Sequence, residues 1–257
     1  MLKTTINLEP GKKVYFASDQ HFGAPDPKES KIREEHFIRW MDEIKHDAQV
    51  LFLMGDLFDF WHEWKHVIPK GYVRVLGKIA ELKDRGIHIY FFVGNHDLWM
   101  KDYFTTELGI PVYSHPIELS VAGKKFLVGH GDGLGPGDHT YKLLKKVFTN
   151  PFAQWLFKWL HPDLGIGLTK AWSGHSRISN TAKNENHFLG DDEWLWQYCK
   201  EVESRFHHDY YVFGHRHLPL ELAVGNSSTY YNLGEWVSQF TFLEFEGLAP
   251  KLQKFEG

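Results

Sequence analysis

The chain is poor in sulfur: it has one cysteine, Cys199, and four methionines among 257 residues. A lone cysteine excludes an internal disulfide and a thiolate-rich zinc site, and it suits a reducing compartment. No run reaches the roughly 18–20 apolar residues that a membrane-spanning helix needs. The segment from Met1 to Phe16 has no secretory h-region, so a cytoplasmic location is expected. A basic excess is also missing. The chain has 29 Lys and Arg against 33 Asp and Glu, a formal charge of -4, which argues against nucleic acid as a partner. There are no internal repeats or low-complexity stretches, and nothing marks an obligate protein partner.

Histidine, by contrast, is plentiful at 17 residues, as is tryptophan at 10. Hydrophobic residues make up 42% of the chain, enough for a large core in one domain or in one domain with an insertion. Apolar runs at Val14–Ser18, Gln49–Met54 and Ile87–Val93 read as buried strands. Helical patterns at Lys28–His46, where Ile32, Phe37, Trp40, Met41 and Ile44 share a face, and at Gly71–Arg85 alternate with them. Such alternation predicts βαβ units and a partly parallel sheet. Ile117–Val121 and Lys125–Val128 form a hairpin pattern, and Tyr210–Phe213, Glu221–Val224, Thr229–Leu233 and Val237–Glu244 complete the predicted strands.

Short polar motifs follow directly on these apolar runs: Asp19-Gln20-His21, Gly55-Asp56, Gly94-Asn95-His96-Asp97, Gly129-His130 and Gly214-His215-Arg216-His217. Strand ends are where open α/β sheets place their sites. Carboxylate, imidazole and amide oxygen suit Mn²⁺, Fe²⁺ or Zn²⁺. In an extended segment alternate residues point the same way, so Asp19 and His21, and likewise His215 and His217, are expected to reach one ion each. Glycines before Asp56, Asn95, His130 and His215 allow sharp turns there. Each motif alone is commonplace. Their ordered recurrence at strand exits points to two divalent metal ions, with manganese the expected species.

A different texture runs from about Leu134 to His187. It opens on the turn-rich Gly133-Leu134-Gly135-Pro136-Gly137 and continues through Tyr141, Leu143, Phe152, Trp155, Leu156 and Trp159. Between His139 and Lys183 there are seven Lys or Arg and one acidic residue, Asp163. A basic, apolar helical insertion on a single domain spanning 1–257 is predicted, with packing of those aromatics onto the core as the plain alternative.

The ordered motifs resemble those of the calcineurin-like metallophosphoesterase superfamily. The resemblance spans Val14 to His217 and implies an α/β fold: an α/β/β/α sandwich of two mixed sheets flanked by helices. It implies Asp19, His21, Asp56 and His217 on one ion and Asp56, Asn95, His130 and His215 on the other, with Asp56 as the bridge. Asp138, eight residues after His130, and Ser176, Asn180 and Lys183 match the spacing in the UDP-2,3-diacylglucosamine pyrophosphatases of lipid A biosynthesis. There these residues, with Asn95, His96 and His215 at the metals, would contact substrate. The implied substrate is a lipid-linked sugar nucleotide, and the implied location is peripheral to the inner membrane. That branch carries Arg after the Asn of the third motif. This chain has His96, as the wider superfamily does.

Two metals lower the pKa of bound water from 15.7 to about 7 and neutralise phosphoryl oxygens. His96, oriented by Asp97 or by a backbone carbonyl, is the expected acid or charge stabiliser. The competing readings are a general phosphodiesterase, which His96 favours, and a binding scaffold that has lost catalysis. Other patterns have plainer explanations. His62-Glu63-Trp64-Lys65-His66 copies the zinc-protease motif, but Pro69 and its place in a strand-exit loop argue against the required helix. Gly133 to Gly137 is no dinucleotide fingerprint, because Pro136 interrupts it. Cys199 is expected in the core and His207-His208 in solvent.

Overall fold

The computed structural model describes residues 3–137, 139–169 and 187–257. Of the sequence-derived residues, Asp138, Ser176, Asn180 and Lys183 lie outside that set. Among the described residues, twelve strands form two six-stranded mixed sheets. The first is ordered β1 (Lys3–Ile6), β6 (Ile117–Val121), β7 (Lys124–Gly129), β8 (Tyr210–Phe213), β10 (Ser228–Leu233) and β9 (Pro219–Val224). The second runs β12 (Lys251–Lys254), β11 (Thr241–Phe245), β2 (Lys13–Ala17), β3 (Ala48–Leu53), β4 (His88–Phe92) and β5 (Val112–Tyr113).

The period of two along each strand builds the layers. In β2, Val14 and Phe16 enter the core between the sheets, where Val50, Phe52, Val128, Val212 and Leu243 meet them. Tyr15 and Ala17 point the other way, under α1 (Pro27–Ile44) and α2 (Val73–Asp84), with Phe37, Trp40, Leu51, Ile79 and Leu82. The outer face of the first sheet, Leu127, Tyr211 and Tyr230, is covered by Leu195 and Cys199 of α7 (Trp194–Glu203). The result is the α/β/β/α sandwich, with Cys199 in its core. β2, β3 and β4 are mutually parallel, as are β7, β8 and β10, so several loops at one end of the sandwich follow strand C-termini.

Local chemistry accounts for the element ends. Asp26 caps α1 by accepting from the Lys28 and Glu29 amides at 2.8 and 3.0 Å, and Pro27 needs no amide there. Ile32, read as part of the apolar face of α1, is 55% exposed; the buried face runs through Ser30, Arg33, Phe37, Trp40, Met41 and Ile44 instead. The predicted strand from Val237 starts only at Thr241. The Glu235 carboxylate accepts from the amides of Val237, Ser238 and Gln239, which curls that stretch into a turn. His208, expected in solvent, is buried 3.4 Å from Glu118, while its neighbour His207 stays exposed. β1, β5, β12 and the short α3 (Tyr103–Glu107) had no strong pattern in the sequence.

Between β7 and α7 the chain forms α4 (His139–Phe148), α5 (Pro151–Lys158) and a further helix, α6, over 162–169. Among the described residues no helix is long and apolar enough to cross a membrane.

Candidate metal centre

Asp19, Asp56, Asn95, His130 and His215 stand just past the C-terminal ends of β2, β3, β4, β7 and β8. Their loops are zipped together: the Asp19 amide donates to the Gly55 carbonyl, His21 to Asp56 and Gly214 to His130, at 2.9–3.0 Å. Asp19 and His21 do converge, but not by extended alternation. Asp19, His21, Asp56, His215 and His217 all have left-handed φ, between 47° and 69°. Only three other described non-glycine residues do so, which concentrates backbone strain at this spot. Glycine is required nearby for close approach: a Cβ at Gly94 would collide with the Asp56 carboxylate, and one at Gly214 with Ser18 and Asp19.

One atom from each of Asp19, His21, Asp56 and His217 lies within 4.8 Å of the others. His21 Nε2 is 3.1 Å from His217 Nε2 and 3.7 Å from both Asp19 Oδ1 and Asp56 Oδ2, and His217 Nε2 is 3.1 Å from Asp19 Oδ1. Ligand atoms about 2.0–2.2 Å from one ion stand roughly 3–3.6 Å from each other, close to the 3.1 and 3.7 Å spacings of this group. Asp19 Oδ1 is buried and accepts no well-formed hydrogen bond, leaving a lone pair directed at the cluster.

Across from this group, Asp56 Oδ2 is also 3.5 Å from His130 Nε2, which is 3.3 Å from Asn95 Oδ1. His130 directs Nδ1 at the Met54 carbonyl, 2.8 Å away, which leaves Nε2 as the atom turned toward Asp56 and Asn95. The His215 ring centroid lies 5.2 Å from that of His130. Asp56 thus faces both groups through one oxygen, while its Oδ1 takes the His96 amide at 2.8 Å.

The electrostatics are those of a cation site. Burial works against charge here, yet His217, His21 and His130 hold the Asp19 carboxyl well below its ordinary range, and His130 with His96 does the same for Asp56. Reciprocally, burial is outweighed at His21 by Asp19, Asp59 and Asp56, and at His130 chiefly by Asp56, raising both to about 10. A divalent cation relieves the same field that holds these protons. The donor set of imidazoles, carboxylates and one amide therefore fits divalent metal ions.

The calcineurin-like phosphoesterase family model matches residues 12–219, which include every motif from Asp19 to His217. The chain belongs to the calcineurin-like phosphoesterases. A protein of Porphyromonas gingivalis named UDP-2,3-diacylglucosamine hydrolase is 36% identical over 256 residues, 95% of this chain and 98% of that one. Proteins of the same name from Actinobacillus succinogenes and Histophilus somni are each 26% identical, covering 90% and 91% of this chain and 95% and 96% of theirs.

In this phosphoesterase His96 is 22% exposed, beside the cluster. Its Nδ1 meets the Asp59 carbonyl at 3.0 Å and the Asp59 carboxylate at 3.5 Å. Of the two orienting groups considered for His96, a backbone carbonyl is the one in contact. Asp97 is used elsewhere: it is fully buried and accepts from the Gly94 and Leu57 amides at 2.7 and 2.9 Å, tying two site loops together. His21, Asp59 and His96 form a second close group, but Asp59 sits on the Nδ1 side of both rings, as an orienting carboxylate does. Sequence reasoning passed over Asp59, although its place three residues after Asp56 was a usable signal.

α4 to α6 pack against the loops that follow β3 and β4. The Trp99 indole donates to the Phe148 carbonyl at 2.7 Å and the Trp64 indole to that of Leu160 at 3.2 Å. Phe157 sits 4.5 Å from Trp99 and 5.0 Å from the buried His62, centroid to centroid. Asp132, two residues past His130, receives Lys145 at 2.6 Å and the Tyr141 hydroxyl at 2.5 Å. Phe157 does the packing, while Phe152, Trp155, Leu156 and Trp159 are 65%, 52%, 51% and 76% exposed.

Proposed function

We propose that this phosphoesterase hydrolyses UDP-2,3-diacylglucosamine to UMP and 2,3-diacylglucosamine 1-phosphate, a step of lipid A biosynthesis. The carrying observation is the 36% identity over nearly the full length of a relative bearing that activity in its name. Water adds to the uridine-bearing phosphorus, and the bond from that phosphorus to the bridging oxygen breaks. Asp19, His21, Asp56 and His217 would hold one cation, and Asp56, Asn95, His130 and His215 the other, with Mn²⁺ as the favoured species. Bound cations supply charge neutralisation and bring the pKa of water near 7. His96, held through Nδ1 on Asp59, has Nε2 left to stabilise a phosphoryl oxygen or protonate the leaving oxygen.

On this reading the chain is one domain, 1–257, with a lid inserted at about 134–187. Acyl chains need apolar cover worth about 0.8 kcal/mol per buried CH₂. The exposed Phe152, Trp155, Leu156 and Trp159, with exposed Lys146 and Lys158 near them in the chain, offer that cover and a means of resting on an anionic membrane surface. Asn95, His96 and His215 from the core, and Asp138, Ser176, Asn180 and Lys183 from the insertion, are the proposed substrate contacts. The test is product identification by mass spectrometry. Purified protein with Mn²⁺ should release UMP from the diacylated sugar nucleotide, and Asp56→Asn should abolish it. Fast cleavage of simple phosphodiesters without any UMP would establish a general phosphodiesterase instead, the reading His96 favours.

A further inference from the structure

We propose that Arg216 is a positioning residue that locks the loop of His215 and His217 to the residues just before α7. The inference rests on the metal-centre reading above. Arg216 stands between two cluster histidines, yet its guanidinium serves a different element. Nε donates to Glu193 Oε1 at 2.6 Å, and Nη2 donates to Glu193 Oε2 and to the His187 carbonyl, both at 3.0 Å. The guanidinium carbon lies 4.4 Å from the centroid of the Trp194 ring. Both charged side chains are buried, at 2% and 0% exposure.

Three features mark this pair as more than packing. Glu193 occupies the N-cap position of α7 but makes no side-chain cap there; its carboxylate is turned to Arg216 instead. His215 and His217 hold left-handed φ of 69° and 51°, a conformation that side-chain-bearing residues keep only where the surroundings over-determine it. Arg216, between them, supplies that constraint through its amide on the Gly214 carbonyl at 2.8 Å and its side chain on α7. Finally, residues from before α4 and from just before α7 meet at the lock: Arg216 holds His187 and Glu193, and Gly135 lies so close to the Trp194 carbonyl that a Cβ there would collide with it. A planar fork of donors meets both carboxylate oxygens and the carbonyl in one fixed geometry, which the single ammonium nitrogen of lysine does not reproduce. A buried ion pair adds little net stability over an apolar pair of the same size; its contribution here is direction.

The experiment uses Arg216→Met, Arg216→Lys, Glu193→Gln and the double variant Glu193→Leu/Arg216→Met in the full chain. Folding is checked by circular dichroism, Mn²⁺ affinity is measured by calorimetry, and turnover is followed on bis(p-nitrophenyl) phosphate. Loss of a supporting contact around metal ligands typically weakens affinity about 10–100-fold. That loss is expected in each folded single variant, smallest in Glu193→Gln. The double variant should recover the wild-type melting temperature in EDTA without recovering Mn²⁺ affinity, a split that a purely structural pair would not give. Where Arg216→Met fails to fold, Arg216→Lys and Glu193→Gln carry the same expectation. Unchanged Mn²⁺ affinity in the folded single variants, or full recovery of affinity in the double variant, overturns the proposal alone. Absence of Mn²⁺ binding by the unsubstituted chain overturns the metal-centre reading and this inference with it.

Discussion

The imidazole of His96 turns Nδ1 onto the carbonyl oxygen of Asp59, 3.0 Å away, with the carboxylate of the same residue 3.5 Å from that nitrogen. A carbonyl only accepts, so Nδ1 carries a proton in either charge state, and Nε2 is a donor to substrate when the ring is the imidazolium. Burial lowers the His96 pKa, and Asp56 and Asp59 pull against it. Acid catalysis at Nε2 needs the imidazolium, which Asp56 and Asp59 favour against burial, and His96→Asn should lower kcat by about 10²–10⁴, the usual range for a general acid. Its metal content should stay at the wild-type level. Asp59→Asn keeps the carbonyl contact and should have a smaller effect, about tenfold. Steady-state kinetics alongside elemental analysis separate the cases, and metal loss in His96→Asn would show it to be a ligand instead.

Asp56 faces His21 at 3.7 Å and His130 at 3.5 Å through a single oxygen, the position of a bridging carboxylate. A ligand that binds only the folded state at about a hundred times its Kd stabilises by about 2.7 kcal/mol. In a chain of this size that is on the order of 5–10 °C in Tm. Saturating Mn²⁺ should raise the wild-type melting temperature by that much, and EDTA should reverse it. In Asp56→Asn the metal-dependent rise should be lost while the protein remains folded in EDTA. An undiminished rise would mean that Asp56 does not hold the metals.

Much of the site could be read in the sequence because each motif adjoins an apolar strand, and parallel strands bring their C-terminal ends to one side. Val14–Phe16 and Phe52 announce β2 and β3 by apolar content alone, and Asp19 and Asp56 follow from position. What could not be read is backbone geometry held by tertiary contact. Nothing local in Asp19-Gln20-His21 signals a left-handed φ at both ends; the Gly55 and Asp56 carbonyls, far off in the chain, impose it. Glu193 and Arg216 escaped notice for the same reason, since each acts through the other, distant in sequence. The weak strands β1 and β12 lie at sheet edges, where pairing with a neighbour supplies what a short, polar sequence lacks.

Glu203 fastens the end of α7 to the start of β8. Its carboxylate takes the His207 ring at 2.7 Å, the His208 amide at 3.0 Å and the Tyr211 hydroxyl at 2.7 Å. Partial burial opposes ionisation, but these donors outweigh it and lower the pKa from 4.5 to about 2. A carboxyl depressed in the fold contributes stability above its unfolded pKa and loses it as pH falls through its folded one. Glu203 should therefore contribute fully above about pH 4.5 and lose that contribution between there and about pH 2. After solvent screening this amounts to about 1–2 kcal/mol. Glu203→Gln should lower stability by that amount at pH 7, with the gap from wild type closing toward pH 2 in urea melts. A gap independent of pH would refute the assignment.

Phe157 is the one ring of α5 that turns inward, 4.5 Å from Trp99 and 5.0 Å from His62, while Trp155 and Trp159 on the same stretch remain half or more exposed. If α4 to α6 form the wall along which acyl chains lie, truncating Phe157 loosens the wall without touching the cluster of Asp19, Asp56 and His217. Losing cover for about two methylenes removes roughly 1.6 kcal/mol, a rise in KM of about tenfold to twentyfold for the diacylated sugar nucleotide. Hydrolysis of bis(p-nitrophenyl) phosphate, which has no acyl chains, should stay within about twofold. Phe157→Leu, which retains most of the apolar volume, should fall between wild type and Phe157→Ala. Paired kinetics on the two substrates decide the matter. An equal loss on both would place Phe157 in support of the His62 and Trp99 loops, and through them of His96, and not in recognition of lipid.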